Sequence, residues 1–476
     1  MKQNGIRVLA LILAGIMSLS VFSCAKEETP SGNTGIGAPA KTDTPSNPDA
    51  PAEKPGEASE PAEPEWPEPD YSDFIMPGET GELTVYATDM LGRVMSPAVQ
   101  IFKEKYPGVT VNYKVLDGDE FTALVETEIP AGRGPDLLFC YRYEIPDPFK
   151  AMSAKVFTDL NPYFLNDADF TFDDYLGEAM NCGVWRGERQ IVPIEVELSI
   201  FKCTREVLSD AGIDPDSFTS FENCCANFLK YHEAYPDNAL FSIWRGDDYL
   251  SMLLRTSGIR FIDYERGNVC VDENQLRTLL DVCKAFHTEA GHQVAPEYVQ
   301  ISGLFERIYL GSSGVAPFLL LNDMGIIRGA GETPFLLPVI DVDGGMTAGI
   351  VSYAAVPQGA GNKLNAYRLL RILLSEEIQS GGEAGLDYIY LGMPVRKASI
   401  LDHIESNKEF FSFVEHIDED AQMLADYSLS VTGAALIPEV IERYLFLEMM
   451  PYVRGEKTWD DCYKRFLNTL ELYASE

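Results

Sequence analysis

A first strand is predicted by Leu83-Thr84-Val85-Tyr86-Ala87, in which apolar and polar side chains alternate. The alternating stretch from Val109 to Val115 predicts a second strand, and Gly134-Pro135-Asp136-Leu137-Leu138-Phe139 leads into a third, buried one. Helical patterns separate these strands: one begins at Ser96, and the other runs from Glu120 to Ala131. This order of elements predicts an α/β chain with an open, doubly wound sheet.

The carboxyl edge of the predicted sheet is the expected place for a ligand. In open α/β sheets, ligands bind outside the carboxyl ends of the strands. Asp89 follows the first predicted strand, and Tyr141-Arg142-Tyr143-Glu144 follows the third. These two segments are therefore the first candidates for a binding site.

Further motifs follow in a characteristic order along the chain. They occupy residues 102–109, 131–136, 192–201, 204–214, 367–379 and 392–397. In this order they resemble family 1 extracellular solute-binding proteins, and Val192-Pro193-Ile194-Glu195-Val196-Glu197-Leu198 is similar to the hinge-crossing segment of the maltodextrin-binding proteins in that family. The resemblance spans residues 82–400.

The resemblance implies a two-lobe fold of the periplasmic-binding-protein type, with a hinge between the lobes. We expect residues 81–476 to form this solute-binding domain. The first lobe is placed at about 81–195 and 322–365, and the second at about 196–321 and 366–476. Closure of the two lobes on a ligand is the expected motion.

The resemblance also implies ligand-binding residues in the first lobe and in the hinge-crossing segment. Glu197 matches a ligand-contacting carboxylate of the family, although a hinge carboxylate that faces water is the alternative. Glu195 shares its strand face, so one of the two carboxylates can bind ligand while the other meets solvent. Further candidates are Asp89, Tyr141, Arg142 and Tyr143. The family's aromatic position is occupied here by Cys140, which leaves ring stacking to a tyrosine.

The resemblance points to two more segments, of which the first lies in the second lobe. Trp244, Arg245 and Asp247 lie where the family often has an aromatic or acidic ligand loop. Asn322 and Asp323 lie where many sugar-binding members carry a stacking tryptophan. The absence of that tryptophan weakens the case for maltodextrin in particular and leaves other sugars open.

The amino terminus predicts export and tethering. A charged start and a short apolar run precede Val21-Phe22-Ser23-Cys24, which resembles a bacterial lipobox, so residues 1–23 are predicted to be a lipoprotein signal peptide and Cys24 the lipidated residue. Ordinary secretion with a free Cys24 is the alternative. Residues 24–80 are rich in proline and glutamate and are predicted to be a disordered linker.

Charge and cysteine content exclude several classes of protein. The 476 residues carry a net charge of −37, which repels phosphate backbones and anionic lipid surfaces, so no nucleic-acid partner is expected. The nine cysteines show no paired spacing and predict no disulfide framework. Cys283, His287 and His292 do not complete a metal site, and no catalytic motif is present, so no cofactor, metal or catalytic residue is predicted.

These observations predict a monomeric, lipid-anchored protein on the outer face of the bacterial cytoplasmic membrane. It would capture a carbohydrate, most readily an oligosaccharide, and deliver it to the membrane subunits of an ABC importer. This function is implied by the resemblance. The alternatives are a binding protein for another solute such as a cationic metabolite, a surface-tethered glycan-degrading enzyme, and a sensory or adhesive lipoprotein.

Overall fold

A computed structural model describes residues 69–78, 81–198, 200–236, 239–241, 248–287, 303–307, 334–381, 392–406 and 417–475. The predicted signal peptide and several predicted functional residues lie outside the described residues, namely Cys24, Trp244, Arg245, Asp247, Asn322 and Asp323.

The strands of the described residues form two larger sheets and two short hairpins. The strands are β1 (Glu82–Thr88), β2 (Thr110–Leu116), β3 (Leu137–Tyr141), β4 (Val184–Trp185), β5 (Glu188–Arg189), β6 (Ile191–Glu197), β7 (Ile200–Thr204), β8 (Ala239–Phe241), β9 (Ile262–Asp263), β10 (Asn268–Val269), β11 (Gly303–Arg307), β12 (Pro334–Pro338), β13 (Thr347–Ala355), β14 (Met393–Pro394) and β15 (Gly433–Ala435). The first sheet has the order β14-β6-β13-β3-β1-β2, with β15 also paired to β13, and the second has the order β12-β7-β11-β8.

The helices pack around these sheets. They are α1 (Gly92–Lys105), α2 (Gly118–Glu128), α3 (Pro148–Ser153), α4 (Asn161–Leu165), α5 (Gly177–Asn181), α6 (Arg205–Asp210), α7 (Phe221–Ala234), α8 (Asp248–Thr256), α9 (Glu273–Ala285), α10 (Lys363–Leu373), α11 (Glu376–Gln379), α12 (Ile400–Ser406), α13 (Ile417–Leu429), α14 (Glu439–Val453) and α15 (Trp459–Ser475). Short 3-10 turns lie at Asp89–Leu91, Phe172–Asp174, Pro215–Ser217 and Lys397–Ser399.

Strand direction defines one edge of the first sheet. β1 is parallel to β2 and β3, while β13 is antiparallel to both β3 and β6. It follows that β1, β2, β3 and β6 all point the same way. Their carboxyl ends, at Thr88, Leu116, Tyr141 and Glu197, therefore lie along the same edge of the sheet, as the doubly wound prediction requires.

The predicted strands and helices between residues 82 and 141 are present, with shifted ends. The second helix, α2, is capped by Asp117, whose side chain accepts a hydrogen bond of 2.8 Å from the Glu120 backbone N–H. The first helix begins at Gly92 and not at Ser96, so Pro97 lies inside it. The earlier start buries Val94 and Met95 against the sheet, which the cap at Ser96 would not achieve.

Buried apolar side chains form two separate cores. The first core surrounds the first sheet and draws its residues from 83–200, 348–378, 393–404 and 424–436. The second core draws its residues from 208–286 and 441–473, together with Val339. Within the described ranges, the chain therefore passes between the cores near residues 200, 340 and 437.

Several predicted lobe assignments are corrected by these cores. Residues 393–404 and 424–436 were assigned to the second lobe, but their buried side chains belong to the first core. Helix α10 was assigned in part to the second lobe, but Leu369, Leu370 and Leu373 are buried in the first core, because the helix packs against α1. Strand β12 was assigned to the first lobe, but it pairs with β7 in the second sheet. Helix α10 thus packs on the core that buries its apolar face, and β12 lies in the sheet that pairs its backbone groups.

The predicted linker boundary at residue 80 is also corrected. Residues 69–78 pack on the first core: the Phe74 ring contacts the Tyr163 ring edge-to-face at 5.1 Å, and Met76 packs against the same core. The Tyr71 hydroxyl donates a hydrogen bond to the Asp159 carboxylate. Aromatic side chains at the end of a proline-rich segment give it apolar area to bury, so the folded body begins before residue 81.

Candidate functional site

A cluster of charged side chains lies at the carboxyl edge of the first sheet. Arg142 follows β3, and Glu197 is the last residue of β6. The Arg142 Nη1 atom lies 2.9 Å from Glu197 Oε1, and the guanidinium of Arg255, in the last turn of α8, forms a second ion pair with the same oxygen. One carboxylate of the first core is thus shared by two arginines.

The second core contributes the rest of this cluster. Arg255 Nη1 lies 3.8 Å from Glu442 Oε2, in the first turn of α14, and donates a hydrogen bond of 3.1 Å to the Tyr143 hydroxyl. That hydroxyl in turn lies 3.5 Å from Glu442 Oε2, to which it donates. We call Arg142, Tyr143, Glu197, Arg255 and Glu442 the ionic cluster. Two arginines and two glutamates make it electrically neutral.

The four charged side chains of the ionic cluster are almost completely withdrawn from solvent. The exposed fraction is 2% for Arg142, 1% for Glu197, 5% for Arg255 and 6% for Glu442. Burial opposes the charge on Arg142, but the Glu197 carboxylate more than offsets it, so the pKa of Arg142 lies above its usual range. Glu197 therefore does not face water. It joins the two cores where the chain passes from one to the other.

Two tyrosines flank the buried arginine. The Arg142 guanidinium carbon lies 5.1 Å from the centre of the Tyr141 ring and 5.0 Å from that of Tyr143, and the two rings meet edge-to-face at 5.5 Å. Tyr141 is buried, whereas Tyr143 is half-buried. The rings stabilise the guanidinium through cation–π contacts.

Glu195 occupies a different environment from Glu197, although both belong to β6. Its carboxylate accepts hydrogen bonds from the Ser352 hydroxyl and from the Gly392 backbone N–H, the latter at 3.3 Å. Burial raises the pKa of Glu195 to about 8, against the opposing effect of these hydrogen bonds. The side chain is fully buried and meets no solvent.

A second set of polar side chains lies on the same edge of the first sheet, next to the ionic cluster. Tyr353 on β13 is paired with Cys140 on β3, and the register of β1 continued by one residue places Thr88 beside Cys140. Glu144 lies close enough to Cys140 and Tyr353 that, after burial, its charge further raises the pKa of both. We call Thr88, Glu144 and Tyr353 the polar recess.

The polar recess contains buried oxygen atoms that have no hydrogen-bond partner within the part of the chain that the structure describes. They are Thr88 Oγ1, Glu144 Oε2 and the Tyr353 hydroxyl. Burial, with a smaller contribution from the Asp89 carboxylate, raises the pKa of Glu144 to about 8. Glu144 is therefore mostly protonated at neutral pH, and the recess offers neutral donors and acceptors. Asp89 itself is exposed beside it.

The structure thus brings Arg142, Tyr143 and Glu197 together, with Asp89 at the neighbouring recess and Glu195 apart. Sequence reasoning did not select Thr88, Tyr353, Arg255 or Glu442. The carboxyl-end rule that pointed to Asp89 also covers Thr88 and Glu144. For Arg255 the sequence offers only a weak indication of a functional role, namely a single arginine directly after the two apolar residues Leu253 and Leu254.

Among the described residues, neither a metal-binding cluster nor a membrane-spanning helix is found. Among them, no three or more His, Cys, Asp or Glu side chains come together as a metal ion would require. Across the same ranges, every helix is too short or too polar to pass through a lipid bilayer.

Comparison with known proteins agrees with the observed fold. The family model described as "Bacterial extracellular solute-binding protein" matches residues 87–380, which is more than half of the chain. No curated protein shows significant sequence similarity to the chain.

Solved structures of solute-binding proteins are similar at low sequence identity. The sugar-binding protein MalE of Xanthomonas citri has a TM-score of 0.60 and 13% identity, with 83% of this chain and 97% of that chain covered. An ABC substrate-binding protein of Listeria monocytogenes in complex with cycloalternan has a TM-score of 0.55 and 14% identity, covering 83% and 99%. The GacH receptor of Streptomyces glaucescens, solved unliganded and with acarbose, has a TM-score of 0.52 and 17% identity, covering 84% and 100%. These similarities concern the fold.

Proposed function

Since the chain belongs to the bacterial extracellular solute-binding proteins, we propose that it captures a neutral, hydroxyl-rich solute at the carboxyl edge of the first sheet. A carbohydrate, most readily an oligosaccharide, is the solute class that we infer. Delivery to the membrane subunits of an ABC importer completes the proposed role. Capture is non-covalent and reversible.

The polar recess is the observation that carries this proposal. Buried polar groups are normally paired, because an unpaired one costs about 1–3 kcal/mol. Three such oxygens, from β1, β13 and the segment after β3, lie on one edge of the sheet. A hydroxyl group of a solute can both donate to and accept from them, and so removes the cost of leaving them unpaired.

The electrostatics of the recess favour a neutral solute. A carboxyl group with a pKa of about 8 is largely uncharged at pH 7 and can donate a hydrogen bond. The nearby arginines are already neutralised within the ionic cluster. Tyr143, half-buried beside the site, supplies an aromatic ring that can contact the apolar face of a sugar. Proteins of similar fold that were solved with cycloalternan and with acarbose support the same class of solute.

Export and lipid anchoring are part of the proposal. A signal peptide at residues 1–23, lipidation of Cys24 and a proline-rich linker would hold the body at the outer face of the cytoplasmic membrane. Membrane retention of a Cys24→Ala variant after washing would contradict the lipid anchor.

The test of solute class is a calorimetric titration of the full chain with neutral oligosaccharides, amino acids and polyamines. Once a solute is found, Glu144→Ala is expected to weaken binding about tenfold or more, since one buried hydrogen-bonding group is lost. Glu144→Gln keeps a neutral donor and should remain within about threefold of the unmodified protein at pH 7. Glu178→Gln, an exposed substitution on α5, which packs on the same core, is the matched control.

The pH dependence separates the proposed solute from a cationic one. A neutral solute that buries Glu144 further favours its protonated form, so binding should weaken as the pH rises through about 8. A cation favours the carboxylate, so binding would strengthen over the same range. Binding that strengthens with pH would contradict the proposal of a carbohydrate ligand. Turnover of a bound glycan would contradict the proposal that the protein binds its solute without a chemical reaction.

A further inference from the structure

A second contact joins the two cores outside the ionic cluster and the polar recess. Asp147, Phe149 and Lys150 lie at the start of α3, which packs on the first core. Tyr264 follows β9, and Tyr473 lies near the end of α15, both in or against the second core. We call these five residues the clasp.

The aromatic part of the clasp is a stacked pair. The Phe149 and Tyr264 rings are 4.1 Å apart between centroids and inclined by only 14°. Tyr264 packs against both cores, and its ring meets that of Tyr473 edge-to-face at 6.4 Å. The stack therefore exists only while the start of α3 and the turn after β9 are together.

The polar part of the clasp also bridges the cores. The Tyr473 hydroxyl donates a hydrogen bond of 2.5 Å to Asp147 Oδ2 and lies 3.3 Å from the Tyr264 hydroxyl. The Lys150 ammonium lies 4.1 Å from the centre of the Tyr473 ring. Burial, followed by the Tyr264 hydroxyl, raises the pKa of Tyr473, so this hydroxyl stays protonated and available as a donor.

Every contact of the clasp is made by groups of the protein itself. A ligand shifts an equilibrium only through contacts that differ between the two states, and the same holds for side chains of the two cores. Separation of the cores at this point would break the stack, the hydrogen bond and the cation–π contact together. We propose that the clasp biases the two cores towards the arrangement seen in this structure, in which they are in contact, before any solute binds.

A solute-free measurement tests this proposal. Small-angle X-ray scattering of the full chain gives the radius of gyration, which rises when the cores separate. Tyr473→Phe removes the donor to Asp147, and Phe149→Ala removes the stack. An aromatic pair changes an equilibrium by about two- to tenfold and a hydrogen bond to a charged group by about tenfold or more, so both variants should show a larger radius.

Two further variants test whether any expansion comes from the contact between the cores. Tyr463→Phe makes the same change on the same helix, where Tyr463 stacks on Trp459 within the second core, and should scatter like the unmodified protein. Asp147→Asn can still cap α3 but is a weaker acceptor for Tyr473, and it should expand the molecule while α3 remains folded.

An unchanged radius in Tyr473→Phe and Asp147→Asn, with cooperative unfolding retained, would overturn the clasp. Equal expansion in Tyr463→Phe would do the same, since the effect would then not come from the contact between the cores. The experiment uses no solute, so its outcome is independent of the proposed carbohydrate.

Discussion

Glu195 and Glu197 show how much of a residue's role depends on its neighbours. They are two positions apart on β6, and the strand period predicts that they share a face. The structure gives them different partners, because β13 has a register shift between Ile350 and Ser352. Gly349 is paired with Glu197, whereas Ser352 is paired with Glu195. One carboxyl group is held in ion pairs and the other is hydrogen-bonded to neutral groups.

Replacing Glu195 by glutamine should change the pH dependence of stability. The folded pKa of about 8 lies above the ordinary value of 4.5, so the folded state binds the proton more tightly. Stability from this group is complete below about pH 4.5 and is lost as the pH rises through about 8, at up to ~1.4 kcal/mol per pH unit. The Glu195→Gln variant should not lose this stability as the pH rises, because glutamine does not ionise.

Thermal unfolding at intervals between pH 5 and 9 measures the effect. The difference between Glu195→Gln and the unmodified protein should grow with pH and level off above about 8. Glu178→Gln, an exposed substitution, should follow the unmodified protein throughout. A constant difference across the range would mean that Glu195 is not protonated in the folded state.

At the scale of single elements, the backbone of β6 is in unusually close contact with the backbone of a neighbouring segment at Gly183. It pairs with β13 and β14, and Gly183 lies against its first residue. A Cβ atom on Gly183 would come within 1.9 Å of the Ile191 carbonyl oxygen. The Ile191 and Gln190 backbone N–H groups both donate to the Gly183 carbonyl, at 3.2 and 3.0 Å. Gly183 is thus required by a close approach of two backbones.

Gly183→Ala should therefore destabilise the first core by about 2 kcal/mol or more, because the backbone of β6 cannot move away cheaply. The free energy of unfolding from urea titration measures this. Gly177→Ala, six residues earlier, meets nothing within 4 Å and should have little effect. Equal effects of the two substitutions would show that helix propensity or entropy, and not the close approach, determines the cost.

At the scale of the whole molecule, the ionic cluster fixes the second core against the first. A buried ion pair adds little to stability when compared with apolar packing, but removal of one partner leaves a buried charge uncompensated. Arg255 is the arginine that the second core supplies, and it neutralises carboxylates of both cores. Its loss should therefore affect both the stability and the relative placement of the cores.

Arg255→Met should destabilise the protein by about 3–5 kcal/mol, the cost of breaking a buried pair. Arg260→Met removes an arginine five residues away, whose contact with Asp343 is exposed and 3.5 Å long, and should change stability by less than about 1 kcal/mol. Chemical denaturation of both variants provides the comparison. Similar values for the two would contradict the central role of Arg255.

The family resemblance and the α/β class were recognisable from local patterns. The first three strands, the helices between them and the position of the carboxyl edge at Thr88 and Tyr141 follow from alternation, caps and helix-ending residues. The docking of residues 69–78 was not predicted, because proline-rich composition indicates disorder unless a complementary apolar surface is present.

The order of strands and helices and the edge at which a ligand is expected follow from local sequence patterns, because they depend on residues within a few positions of one another. The charges that meet Glu197, the core that receives α10 and β12, and the polar atoms that remain unpaired depend instead on tertiary packing. Arg255 is 58 residues from Glu197, and Tyr143 is 299 residues from Glu442. Contacts at such separations depend on how the two cores pack, which no local pattern encodes.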